Sequence, residues 1–151
     1  MTVANDNQSF EALTFDLQGE VFALGAHSVR EILDVTPVTL VPGARDFVPG
    51  LINVRGRVVP LADLRVWFGM PHAEASADTR IIVVEIDLDG EPTIVGLLAD
   101  KVYEVTQIAG ASIEDTPPIG MTWPPEYVRG IGKRGDDFII IPNIERIFCT
   151  A

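Results

Sequence analysis

Phe47-Val48-Pro49-Gly50-Leu51-Ile52-Asn53-Val54-Arg55-Gly56-Arg57-Val58-Val59-Pro60-Leu61-Ala62-Asp63-Leu64-Arg65 carries the most information in the chain. It runs from a Pro-Gly entry through an apolar, strand-like stretch to a second strand, Val58 to Leu61, and then to a helix start at Asp63. It holds no nucleophile with a base at motif spacing, no metal-ligand cluster and no phosphate loop. Such a segment is suited to a shaped surface that another protein binds.

The same order of elements returns later in the chain. Gly50 and Gly130, Leu51 and Ile131, Asp63 and Asn143, Leu64 and Ile144, and Phe68 and Phe148 are each 80 positions apart. Asp63 and Asn143 are both suitable N-caps, because their side chains can accept free backbone N–H groups of a first helical turn. Leu64, Trp67 and Phe68, like Ile144, Ile147 and Phe148, fall at i, i+3 and i+4 and define one apolar helix face. Gly69 and Pro71 end the first helix. Upstream, Val29-Arg30-Glu31-Ile32 and Val102-Tyr103-Glu104-Val105 form a second echo, 73 positions apart. Each follows a hairpin-like Gly-Glu, Gly19-Glu20 and Gly90-Glu91. The spacing predicts a duplicated β unit.

Strand signals fill most of the rest. Leu13, Phe15 and Leu17 alternate with polar or small residues, Gln18-Gly19-Glu20 supplies a turn, and Val21 to Leu24 resumes a strand. Ile81 to Leu88, the pair Asp89-Gly90 and Thr93 to Leu98 read as a second hairpin. Val38 to Val41, Val102 to Val105 and Phe138 to Ile141 are further strand candidates. Val29 to Leu33 is read as strand, although Ser28 and Glu31 also have capping-box spacing. Gly132-Lys133 is read as a turn. Many short strands punctuated by Gly and Pro point to barrels. Met70 to Thr79 is expected to be an exposed loop between the halves, and the Pro-rich Thr116 to Pro125 stretch another.

Composition narrows the function. The chain has 151 residues, 47% of them apolar, with a mean hydropathy of +0.25, enough for one domain or two small subdomains sharing a core. A net charge of −11 argues against nucleic acid as partner, since phosphate backbones select basic surfaces. Cys149 alone cannot form an internal disulfide. Met1 to Ser9 has no signal-peptide pattern, and Ile81 to Val84 is far too short to span a bilayer. These features predict a cytoplasmic protein with no direct membrane insertion.

Catalytic chemistry finds few candidates. His27 and His72 are isolated, and Asp87, Asp89, Glu91, Asp136 and Asp137 cluster at turns, where solvated carboxylates are ordinary. An acid–base enzyme built on Asp63, Asp100 and His27 is an alternative, although a capping role explains Asp63 better. A nucleic-acid-binding barrel would need a basic, aromatic-rich face. Glu31 and Arg55 stand apart, each set among apolar neighbours. An arginine beside a glycine presents a forked cation that can meet a carboxylate in bidentate fashion. Such a pair is either an ordinary surface contact or the organiser of a binding surface.

Val29-x-Glu31-Ile32, followed by Phe47 to Gly56 with Val58-Val59-Pro60-Leu61-x-Asp63-Leu64-Arg65, closely resembles the CheW family of chemotaxis coupling proteins. Gly130-Ile131-Gly132 and Phe138 to Phe148 resemble that family's C-terminal end, so the likeness runs from about Phe10 to Phe148. The resemblance implies a mainly β fold of two tandem SH3-like five-stranded barrels with short helices. It implies a single CheW-like domain over 10–149, with roughly 14–80 as first barrel and 81–149 as second. The N-terminal strand is able to pair with the second barrel, and residues 1–9 form a flexible N-terminus.

The implied role is a non-enzymatic scaffold without cofactor or metal. It couples the cytoplasmic tip of a chemoreceptor (a methyl-accepting chemotaxis protein) to the regulatory domain of a CheA-type histidine kinase and supports array assembly. With no room for phosphotransfer, ATP-binding or receiver domains, the chain resembles the free-standing adaptor, recruited to membrane-associated receptor arrays. A paralogous adaptor in a non-flagellar chemosensory pathway is the alternative. By position, Glu31, Asn53, Arg55 and Val58 match the receptor-binding surface, and Val29, Val38, Thr39 and Gly50 the kinase-binding surface. Exposed Val29 and Val38 would form an apolar patch, and Gly50 and Gly56 would let another backbone approach. Pro142 and the Thr116 to Pro125 stretch depart from the family pattern.

Overall fold

The computed structural model describes residues 9–71, 74–109, 125–134 and 137–150. The strands are β1 (Ser9–Leu17), β2 (Glu20–Gly25), β3 (Val29–Asp34), β4 (Thr39–Leu40), β5 (Gly50–Val54), β6 (Arg57–Ala62), β7 (Arg80–Leu88), β8 (Glu91–Ala99), β9 (Lys101–Ala109), β10 (Val128–Arg134) and β11 (Asp137–Pro142). Two short helices, α1 (Leu64–Trp67) and α2 (Ile144–Thr150), follow β6 and β11.

The strands form two sheets, one ordered β9-β1-β2-β11-β10 and the other β3-β7-β8-β6-β5-β4. The two orders correspond strand for strand. Each starts with an edge strand carrying the V-x-E-[IV] echo, pairs it antiparallel to one hairpin, and joins that hairpin by a parallel contact to a second. The expected barrels are therefore present as curled sheets, one with a sixth strand, the two-residue β4.

A division near residue 80 does not follow the strand pairing. The β1–β2 hairpin, from the first half, lies between β9 and β11 of the second. The β7–β8 hairpin, from the second half, lies between β3 and β6 of the first. The two repeats have exchanged hairpins. Ser9 belongs to β1 rather than to a free terminus.

The sequence explains why the exchanged hairpins suit this position. Along β7, Ile81 and Val83 pack inside the curl of their own sheet with Ile52, Val54, Val59 and Leu61. Ile82, Val84 and Ile86 point the other way, into a core shared with Leu13, Phe15, Leu17, Phe22 and Leu24 of the other sheet. A strand buried on both faces reads as a continuous apolar run instead of alternating. The helices close this shared core with Leu64, Phe68, Ile144 and Ile147. Ala12, Ala23, Ile108, Ile139 and Ile141 fill the curl of the other sheet.

Local signals behave as their chemistry requires. The Asp63 carboxylate accepts from the Arg65 N–H at 3.1 Å, and the Asn143 side-chain oxygen accepts from the Arg146 N–H at 3.1 Å. Ser28 makes no capping box: its hydroxyl donates to the Gly25 carbonyl, and Val29 opens β3. Gly132-Lys133 is not a turn, since both residues lie within β10, opposite Ile139 and Phe138. His72, Gly135, Asp136 and nearly all of the Thr116 to Pro125 stretch lie outside the described residues.

Candidate functional site

Arg55 occupies the tip of the β5–β6 hairpin, where Val54 pairs with Arg57 across a two-residue turn. Arg55 and Gly56 have φ of 52° and 82°. Positive φ at both turn residues matches the right-handed twist of the flanking strands, and Gly56 supplies the second position without steric cost. The Asn53 side-chain oxygen accepts from the Gly56 N–H at 2.8 Å and locks the turn.

The turn aims the guanidinium at β3. Arg55 Nε donates to Glu31 Oε2 at 3.0 Å, and Nη2 donates to Oε1 at 3.2 Å. This bidentate contact joins the β5–β6 tip to the strand at the far end of the same sheet, so it marks where the sheet curls round on itself. The Arg55 side chain is 79% exposed and that of Glu31 24%. The hydrogen bond to Glu31, then its charge, raises the Arg55 pKa above the ordinary arginine value. The carboxylate orients a cation that remains open to a partner.

Beside it, Val58 faces Asn53 across the hairpin and is 73% exposed, as is Leu40 on β4 at 72%. Thr36, Pro37, Thr39, Leu51, Ile52, Asn53 and Val58 line a groove of about 450 Å³ on this face. All four expected receptor-facing residues belong to one sheet, Asn53, Arg55 and Val58 on the β5–β6 hairpin and Glu31 on β3, which Arg55 reaches where the sheet curls round.

The four expected kinase-facing residues do not form an exposed patch. Val29 and Val38 are half-buried and face different cores, Val29 the shared one and Val38 the interior of its own sheet. Gly50 is buried, and the backbone that approaches it belongs to this chain. A methyl group there would sit 2.3 Å from the Thr39 carbonyl oxygen and 2.7 Å from Val38 Cγ1. Gly50 thus seats β4 on β5, where Leu40 pairs with Gly50 and Thr39 with Leu51. Gly56 serves the turn and has nothing within 4 Å of where a side chain would begin. Of the four expected kinase-facing residues only Thr39 is exposed.

One cluster escaped the reading of the sequence. Arg65 is buried, with Nε and Nη2 donating to the two Asp63 carboxylate oxygens at 2.9 Å each and Nη1 donating to Asp100 Oδ1 at 2.8 Å. The Asp63 hydrogen bond leads the causes that raise its pKa, against the opposing effect of burial. Asp63 and Asp100 are thereby committed to a guanidinium and are not a free acid–base pair, while His27 sits in the turn between β2 and β3. The signal was the D-L-R triplet, in which the same aspartate both caps α1 and binds Arg65. Among the described residues, no group of three or more His, Cys, Asp or Glu is placed to hold a metal ion.

Residues 11–151 match the family model for the CheW-like domain. The chain belongs to the CheW-like family. It is 30% identical over 148 residues to chemotaxis protein CheW of Klebsiella aerogenes, covering 98% of this chain and 87% of that protein. It is 28% identical over 134 residues to protein PilI of Pseudomonas aeruginosa, covering 88% of this chain and 72% of that one. The crystal structure of the scaffolding protein TtCheW from Thermoanaerobacter tengcongensis superposes with a TM-score of 0.83 at 34% identity, covering 93% and 88% of the two chains. The expected family and mainly β, tandem-barrel fold are thus both found. No described helix is long and apolar enough to cross a membrane.

Proposed function

We propose that this protein is a non-enzymatic chemotaxis scaffold that couples the cytoplasmic tips of chemoreceptors to the regulatory domain of a CheA-type histidine kinase. It works in the cytoplasm and is recruited to membrane-associated receptor arrays. One observation carries the reading: a guanidinium displayed at a locked turn, oriented by Glu31, beside exposed Val58 and an apolar groove. A cation next to apolar surface suits a helical tip that offers both an acidic and an apolar side chain. The kinase regulatory domain meets the β4 side, where Thr39 and Leu40 are exposed and Val38 and Gly50 support them from beneath.

Capture of wild type and Arg55→Ala by a receptor cytoplasmic fragment and by the kinase regulatory domain tests this. Arg55→Ala is expected to lose receptor binding, keep kinase binding and melt with the wild type. A loss of both interactions together with a lower melting temperature would make Arg55 a structural residue and sink the assignment.

A second reading, an adaptor for a non-flagellar chemosensory pathway, is favoured by the similarity to protein PilI. Co-purification of receptors from cells of the source organism separates the two readings by which receptors are retained.

A further inference from the structure

The two helices that close the shared core meet through Phe47, Trp67, Tyr127 and Phe148 but carry different polar fastenings. Asp100 lies where β8 leaves one sheet and β9 enters the other. Its Oδ2 accepts from the Gln18 N–H at 2.7 Å, and its own N–H donates to the Asp16 carbonyl at 2.9 Å. Its Oδ1 binds Arg65, which binds Asp63 at the start of α1. A continuous chain of polar contacts therefore runs from the tip of the β1–β2 hairpin, in one sheet, to the helix that follows β6 in the other. The Arg65 and Asp100 side chains are largely buried. Buried charge pairs are screened far less than exposed ones, and removing one partner leaves an uncompensated charge.

The corresponding positions of the second repeat are different. Eighty residues beyond Asp63 and Arg65 stand Asn143 and Glu145. Glu145 faces outward and pairs with Arg129 at 2.9 Å, with side chains 39% and 55% exposed. Arg146 pairs with Glu126 on the same surface at 3.2 Å. Pairs of this kind are weak and screened by salt.

We propose that Asp63, Arg65 and Asp100 form an ionic latch that fixes the exchanged β1–β2 hairpin to the opposite sheet. The latch fastens the hairpin through buried charge, whereas the polar pairs on α2 are exposed and its hold on the core is apolar, through Ile144 and Ile147. The latch holds the arrangement of the sheets and contributes no atom to the receptor-facing groove.

Residue-resolved hydrogen exchange on the full-length protein tests the proposal, with Arg65→Met, which keeps the aliphatic stem, and Asp100→Asn. In wild type the Gln18 and Asp100 amides are expected to exchange at least about tenfold more slowly than the last-turn amides of α2, with α2 accelerating in high salt. Arg65→Met is expected to accelerate Gln18 and Asp100 by about tenfold or more while Val83 and Ile52 stay near their wild-type rates. Equal acceleration of every amide would make Arg65 a general contributor to stability and overturn the latch. Unchanged Gln18 and Asp100 rates would overturn it as well, and equal wild-type protection of these amides and of α2 would refute the unequal fastening. If Arg65→Met does not fold, Asp100→Asn, which removes charge but little volume, gives the same reading.

Discussion

Gly50→Ala separates two roles for one residue. Gly50 has ordinary backbone geometry, so alanine is allowed by its dihedral angles, and the new methyl is the whole perturbation. That methyl would lie 2.3 Å from the Thr39 carbonyl oxygen, where ordinary contact begins at 3.4 Å. A carbonyl in a strand cannot swing aside as a side-chain end can, so β4 must retreat by about 1 Å. Overpacking of this size costs about 1–3 kcal/mol, and the entropy lost by the unfolded chain returns less than 1 kcal/mol. A net loss of about 1–2 kcal/mol lowers the melting temperature of a domain of this size by about 2–8 °C. Urea unfolding should show a lower midpoint at constant slope. Binding to the kinase regulatory domain should fall with it, because Thr39 and Leu40 move. An unchanged midpoint would refute the steric reasoning. An unchanged midpoint with lost kinase binding would place Gly50 itself in the interface.

Two further outcomes follow from the cores. Phe15→Ala empties part of the core between the sheets, where its ring stacks on Phe22 at a centroid distance of 5.9 Å, and should cost about 3–5 kcal/mol. Fluorescence and circular dichroism should still report one coincident transition, since both sheets lean on that core; two separated transitions would show that the sheets unfold independently. Val38→Asp places a carboxylate against Ile52, Val54 and their neighbours, and should destabilise the protein by about 2 kcal/mol or more. A calorimetric melt that matches wild type would mean that Val38 is an exposed interface residue after all.

Much of the fold was legible because it is written locally. Alternation in Leu13, Phe15 and Leu17, the turn pair Asp89-Gly90, and the caps Asp63 and Asn143 act over a few residues and are used in the structure as read, while the turn read as Gln18-Gly19-Glu20 is one residue shorter, Glu20 opening β2 opposite Leu17. β10 escaped because Gly130 and Gly132 interrupt the apolar pattern, although both pair with β11. Of the hairpin exchange only the pairing of the N-terminal strand with the second barrel was expected, and it is found in β1 against β9; the rest escaped for a deeper reason. Two similar repeats offer each hairpin similar partners, and the choice rests on contacts far apart in sequence.

The site divides in the same way. Arg55 and Glu31 could be picked out as charges among apolar neighbours, and they meet in space. Val29, Val38 and Gly50 could be marked by position, but whether a valine in a strand faces solvent or core depends on which sheet covers it. Arg65 was hidden because its aspartate partner already had a sufficient local explanation.

The exchange of hairpins also has a consequence for how the protein is made. The sheet that carries Arg55 lacks its middle until β7 and β8 have been synthesised, up to Ala99. The β1–β2 hairpin, which leaves the ribosome before both, waits longer still, because β9 and β11 are translated last among the strands. Neither half of the chain can finish a sheet alone. The sheet that carries Arg55 has all its strands once Ala99 is out, whereas the apolar β1–β2 hairpin waits for β11 before its own sheet can close.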